Sequence, residues 1–196
     1  MKKYLFILFV IVLGVVGSTS AFASTYMFQP SPENLWNLDH YYAYTWGIDW
    51  SLMEGDTITG AYLSIDNINN EPFADNAMYI HLLNDMSAGT VQIWDDAAYF
   101  HPETMEDYFS GQGTLLTSYT DTDVATENWV YTFTPEQLDL LTQYSSNGNY
   151  GFGIDPDCHY SNTGAKFVVT TAIPEPTSMM LLGMGILGLF GLKRKS

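Results

Sequence analysis

Between residues 42 and 52 the chain alternates with period two: Tyr42, Tyr44, Trp46, Ile48, Trp50 and Leu52 take the even positions, and Ala43, Thr45, Gly47, Asp49 and Ser51 the odd ones. Successive side chains of a strand point to opposite faces, so the pattern predicts a strand with one apolar face. Residues 57–66 continue in kind, with Ala61, Leu63 and Ile65 on one parity and Ile58 on the other, which places a bulge at Gly60. Further strands are predicted at 77–84, 90–94, 114–120, 129–133, 150–154 and 165–171, from short runs rich in aromatic and branched residues bounded by polar turns. One segment breaks the series. Thr134-Pro135-Glu136-Gln137 combines a capping box with proline at the first helical position, and Leu138, Leu141 and Tyr144 then share one face of a short helix. Eight strands with polar connections predict an all-β domain, a jelly-roll-like antiparallel β-sandwich carrying one short helix. Its core is expected to gather Trp46, Ile48, Trp50, Leu63, Ile65, Ile80, Leu82, Phe133, Phe152, Ile154, Phe167 and Val169.

Both ends of the chain lie outside this pattern. Lys2-Lys3, the apolar segment 4–16 and then Ala21-Phe22-Ala23 read as a secretory signal peptide with its small-residue cleavage site, so the mature chain begins at Ser24. At the other end, Ile173-Pro174-Glu175-Pro176-Thr177-Ser178 leads into the apolar run 179–192 and the basic cluster Lys193-Arg194-Lys195. Each proline lacks an amide proton and restrains the residue before it, so the domain stops there. The apolar run would span about 21 Å as a helix, short of the roughly 30 Å hydrocarbon core, which makes it a marginal membrane span with its basic end cytoplasmic. The expected organisation is a signal segment 1–23, a domain 24–172 and a tail 173–196.

This tail resembles the PEP-CTERM sorting signal of Gram-negative bacteria. Pro174-Glu175-Pro176 stands where that motif stands, the glycine-rich run from Leu181 to Leu189 looks like its short helix, and Lys193, Arg194 and Lys195 look like its basic stop. Ile173 departs from the family's usual valine, a swap that keeps shape and polarity. The resemblance covers residues 173–196 and implies transient anchoring in the inner membrane, recognition and cleavage by an exosortase, and release to the surface, often in bacteria that make exopolysaccharide. The alternatives are an ordinary tail anchor and a buried C-terminal helix. Signal peptidase is the expected processing partner at the other end.

With both ends removed, Lys166 is the one basic residue left against 21 acids, a formal charge of −20. Such a surface repels nucleic acid and anionic lipid, and it cannot neutralise itself by internal ion pairs. Divalent cations are therefore candidate partners; the alternative is that the acidity serves only solubility. Cys158 is the one cysteine, so no intramolecular disulfide forms and the thiol is expected in the core.

Catalytic motifs are missing: there is no phosphate loop, no Gly-x-Ser-x-Gly elbow and no His-Glu-x-x-His. Cys158-His159 is poorly placed for a nucleophile and its base, because neighbours on a strand face opposite ways. After Phe152 and Ile154, Pro156 is expected to break the ladder. Asp155 and Asp157 then become candidate calcium ligands with the Asn162 amide oxygen, the alternative being an Asx-type turn. The aromatic residues Trp36, Tyr41, Trp94 and Tyr99, with Phe100 and Tyr108, fall in or near predicted loops and are candidates for stacking against sugar rings; Trp46, Trp50 and Trp129 are expected in the core. The expected function is a non-catalytic, exosortase-sorted surface or matrix protein associated with exopolysaccharide. A carbohydrate-binding module, marked by an exposed aromatic row, is the first alternative, and a secreted glycoside hydrolase or lyase, marked by converging acids in a cleft, is the second.

Overall fold

The computed structural model describes residues 22–70, 77–95, 107–120 and 126–173. The compact unit Ser24–Thr171 holds most of them. Its strands are β1 (Phe22–Phe28), β2 (Tyr42–Ile48), β3 (Thr57–Asn70), β4 (Ala77–Asn84), β5 (Gly89–Trp94), β6 (Thr114–Thr120), β7 (Glu127–Thr132), β8 (Tyr150–Pro156), β9 (Tyr160–Ser161) and β10 (Gly164–Ile173), with helix α1 (Pro135–Ser145) between β7 and β8. They form two antiparallel sheets, ordered β1-β10-β3-β7 with β9 paired to β3, and β5-β2-β8-β4-β6. Set β5 and β9 aside and each strand is followed by one in the opposite sheet, except that β4 and β6 are neighbours within the second sheet. That is the strand order of a jelly roll.

The even positions of β2 face the other sheet, as the alternation predicts. Tyr44, Trp46 and Ile48 join Leu63, Ile65, Ile80, Leu82, Phe133, Phe152, Ile154, Phe167 and Val169 in one core. Its centre is aromatic: Phe152 meets Phe167 edge to face at 4.8 Å and Trp46 at 5.6 Å. Trp50 lies beyond the end of β2 and is half-buried at the margin, against Tyr26 and Phe28, because the strand stops at Ile48 and not at Leu52. Helix α1 begins as expected: the Thr134 side chain accepts from the Gln137 amide and the Gln137 side chain returns to the Thr134 amide, while Leu141 is fully buried. Cys158 is buried.

Burial changes phase between Ile58 and Ala61 in β3, as Gly60 foretells. A second irregularity lies further along, where the β3–β7 register shifts between Ile65 and Ile68 and Asn67 adopts a φ of 51°. Pro156 does not break the ladder. It ends β8 opposite Met78, past the last β2 pair at Ile154, where the missing amide proton is tolerated.

The odd positions of β2 are also buried, which the alternation does not predict. The reason is β5, which follows β4 in the chain yet pairs with β2 at the far edge, so that residues 85–88 on the way out and 107–113 on the way back lie on the outer face of the second sheet. On the way out Ser87 lies over Gly47, where a Cβ would stand 1.8 Å from the Ser87 carbonyl oxygen. On the return Phe109 lies over Gly153, where a Cβ would stand 2.8 Å from the ring. Ala43, Leu83 and Phe109 make a second, smaller apolar cluster on this outer face.

Candidate functional site

Immediately before β2 the backbone takes a left-handed turn, with φ of 46°, 53°, 62° and 46° at Leu35, Trp36, Asn37 and Leu38. For residues with a Cβ this conformation costs roughly 1–2 kcal/mol each, least for asparagine. It is held by Leu35 and Leu38, both fully buried, and by hydrogen bonds from the Leu38 amide to the Leu35 carbonyl (3.0 Å) and from Asn34 Nδ2 to Asn37 Oδ1 (2.8 Å). With Leu35 and Leu38 pointing inward, Trp36 is turned out, 40% exposed, its ring stacked on Tyr44 at 6.1 Å. Tyr44 is fixed in turn: its hydroxyl accepts from the Asp39 amide (2.7 Å) and donates to the Asp39 carbonyl (3.1 Å). Burial pushes this phenol up to about 12, so it keeps the proton it donates.

Beside this turn stand the other exposed rings. Tyr41 is 37% and Trp94 50% exposed, with centroids 6.2 Å apart and planes within 15° of each other. Tyr42, the cross-strand partner of Trp94, supports that indole edge-on at 5.3 Å, and His40 packs on Tyr41 at 4.0 Å. The polar groups at the rim are Asp39, whose Oδ1 accepts from the Tyr41 amide at 3.2 Å and lies 3.7 Å from His40 Nδ1, and Gln92. Trp36, Tyr41 and Trp94, three of the four predicted stacking residues, thus surround the start of β2; Tyr99 and Phe100 lie outside the described residues. Trp129 packs against the core, between Tyr119 and Tyr131.

The predicted calcium ligands lie on the outer face of the second sheet. Asp155 follows Gly151 and Gly153 on that face, is buried, and accepts from the Tyr108 amide at 2.7 Å. Asp157 is half-buried, its amide donates to the Ala77 carbonyl at 2.8 Å, and its Oδ2 is buried without a partner among the described residues. Burial raises both carboxyls to about 7, helped by Asp95 and Asp107 and, for Asp157, by Asp155. Asn162 spends its Nδ2 on the carbonyls of Asn34 and Tyr160. Two carboxylates supply only part of the six to eight oxygens calcium takes, and among the described residues no three His, Cys, Asp or Glu side chains are grouped to hold a metal ion.

Next to these acids His81 is buried between two acceptors, the Gln112 carbonyl at 3.0 Å from Nδ1 and Asp107 Oδ2 at 2.8 Å from Nε2. The carbonyl only accepts, so the contact at Nδ1 is made by a ring N–H, and Nε2 faces the Asp107 carboxyl. This pair, with Tyr108 on Asp155, pins residues 107–113 across the sheet. Nothing in the sequence signals it, because the partners are 26 residues apart.

A shallow cleft of about 420 Å³ lies at the opposite end of β2, lined by Met27, Phe28, Trp46, Asp49 and Thr90 among others. Among the described residues Asp49 is the one carboxylate in its lining.

Against known families, residues 172–195 match the PEP-CTERM protein-sorting motif. The match begins on the last two residues of β10, so the sorting signal follows the fold without a spacer. No curated protein matches the chain. Among the described residues no helix is long and apolar enough to cross a membrane; the apolar run 179–192 lies outside them, as do residues 1–21 of the expected signal peptide.

Proposed function

We propose that this exported protein, marked for an exosortase by its PEP-CTERM tail, is a non-catalytic surface or matrix component that holds extracellular polysaccharide on the exposed rings of Tyr41 and Trp94. The observation that carries the reading is the mounting of Trp94. The indole is half exposed, yet Tyr42 braces its edge and Tyr41 lies parallel beside it. An exposed indole costs free energy in water, and a rigid one loses little side-chain entropy when the apolar C–H face of a sugar covers it. Asp39, His40 and Gln92 stand at the rim to bond hydroxyls. The tail anchors the precursor transiently in the inner membrane, and cleavage near Pro174-Glu175-Pro176 releases the domain to the surface.

A hydrolase reading finds less support. Glycoside hydrolysis requires two carboxyls facing each other across an open cleft. The cleft by Trp46 has one, and Asp155 is closed beneath Tyr108 and Phe109. Printed glycan arrays probed with the full chain in detergent test the binding reading. Binding is expected to a restricted set of glycans and to fall about tenfold or more in Trp94→Ala and Tyr41→Ala, the loss of one stacking contact. Equal binding by both variants, or no binding at all, would reject it.

A further inference from the structure

Building on the polysaccharide-binding reading above, we infer that the site extends from Tyr41 and Trp94 onto Trp36 and takes a glycan chain bearing free amino groups. Trp36 is mounted as deliberately as Trp94. Its own φ is 53°, in a turn whose buried residues are its neighbours Leu35 and Leu38. A turn that served only to plug the core with two leucines would have no use for an exposed indole between them, and a left-handed backbone is retained where the conformation is used. The ring stacks on Tyr44, whereas Trp94 is braced edge-on by Tyr42. Tyr42 and Tyr44 alternate on one face of β2, about 7 Å apart, so a single strand supports both indoles. Two rigid platforms on one support suit a chain of sugars better than a single one.

The sign of the ligand's charge follows from the surroundings. The domain sets 21 acids against Lys166, which is itself paired with Asp66. At the site Asp39 is about one-third exposed beside His40 and Tyr41. A uronate polymer is repelled by this field, whereas an ammonium group is attracted by the field and by the faces of the indoles.

Titration calorimetry of the full chain in detergent at pH 6 tests both parts, using a β-1,4 glucosamine hexamer, its fully N-acetylated counterpart and a mannuronate hexamer. The glucosamine hexamer is expected to bind about tenfold tighter than the N-acetylated one, and the mannuronate not at all. Trp36→Ala, which leaves the charge unchanged, is expected to weaken the glucosamine hexamer about tenfold and Trp36→Phe to recover most of the loss. An unchanged melting temperature in Trp36→Ala shows that the fold is intact; if it falls, the Phe variant carries the comparison. Wild-type affinity in Trp36→Ala alongside a loss in Trp94→Ala would overturn the extension and leave the polysaccharide reading standing. Equal or tighter binding of the N-acetylated hexamer would overturn the charge assignment. Binding of none of the three by the wild type, with no hit on the arrays, would overturn both the inference and the reading beneath it.

Discussion

Asp155 and Asp157 are the residues whose charge state the fold alters most visibly. Burial raises both carboxyls from 3.8 to about 7, so the folded state binds protons that the unfolded chain has released. The stability they contribute is complete below about pH 4 and is lost as pH rises through 7. The melting temperature is therefore expected to fall between pH 5 and pH 8, and Asp155→Asn, which keeps an acceptor for the Tyr108 amide, to flatten the fall. A pH-independent melting temperature would contradict the burial account. The same melts at pH 8 in calcium, magnesium and matched sodium separate titrating acids from a cation site: a rise selective for calcium, lost in Asp157→Asn, would make the pair calcium ligands. Glycines make a second test at this scale. Gly47→Ala drives a Cβ against the Ser87 backbone and is expected to cost about 1–3 kcal/mol, while Gly60→Ala meets nothing within 4 Å and is expected to be close to neutral; denaturant melts measure both.

Among the elements, α1 and β8 give the clearest expectations. Thr134→Ala removes the acceptor for the Gln137 amide and is expected to cost about 1 kcal/mol. Phe152→Ala opens a hole where β8 meets Trp46 and Phe167, with an expected cost of about 3–5 kcal/mol in urea melts. These elements were legible because their signals are local: the capping box and the alternation of aromatic with small residues. Strand β1 was not, since residues 22–28 run on from a segment that reads as a signal peptide and its cleavage site, and β9 is only two residues long. The site was legible in part. Loop position marked Trp36, Tyr41 and Trp94 as exposed, but the support of Trp94 by Tyr42 depends on the pairing of β5 with β2, and that of Trp36 by Tyr44 on the left-handed turn, no residue of which is a glycine that would have betrayed it. The excursion of β5 to the far edge, with the burial of His81 and Asp155 beneath the returning chain, is a property of topology. Alternation within one strand cannot specify which strand lies beside it.

For the whole molecule, the PEP-CTERM tail marks where the protein goes, and the proposal gives the task of holding a ligand to a separate part of the chain. The match to the sorting motif starts on the last two residues of β10. On the proposed reading, the shelf around Trp94 would then retain the released domain in extracellular polysaccharide. One fractionation tests this division directly: cultures of a host with an exosortase, expressing wild type, Trp94→Ala, and a triple variant with Pro174, Glu175 and Pro176 replaced by alanine, are separated into membrane, polysaccharide matrix and medium. The account predicts wild type in the matrix with a shortened C-terminus, Trp94→Ala equally shortened but shifted to the medium, and the triple variant uncut in the membrane. Trp94→Ala retained in the matrix like the wild type, or the triple variant released and shortened, would contradict it.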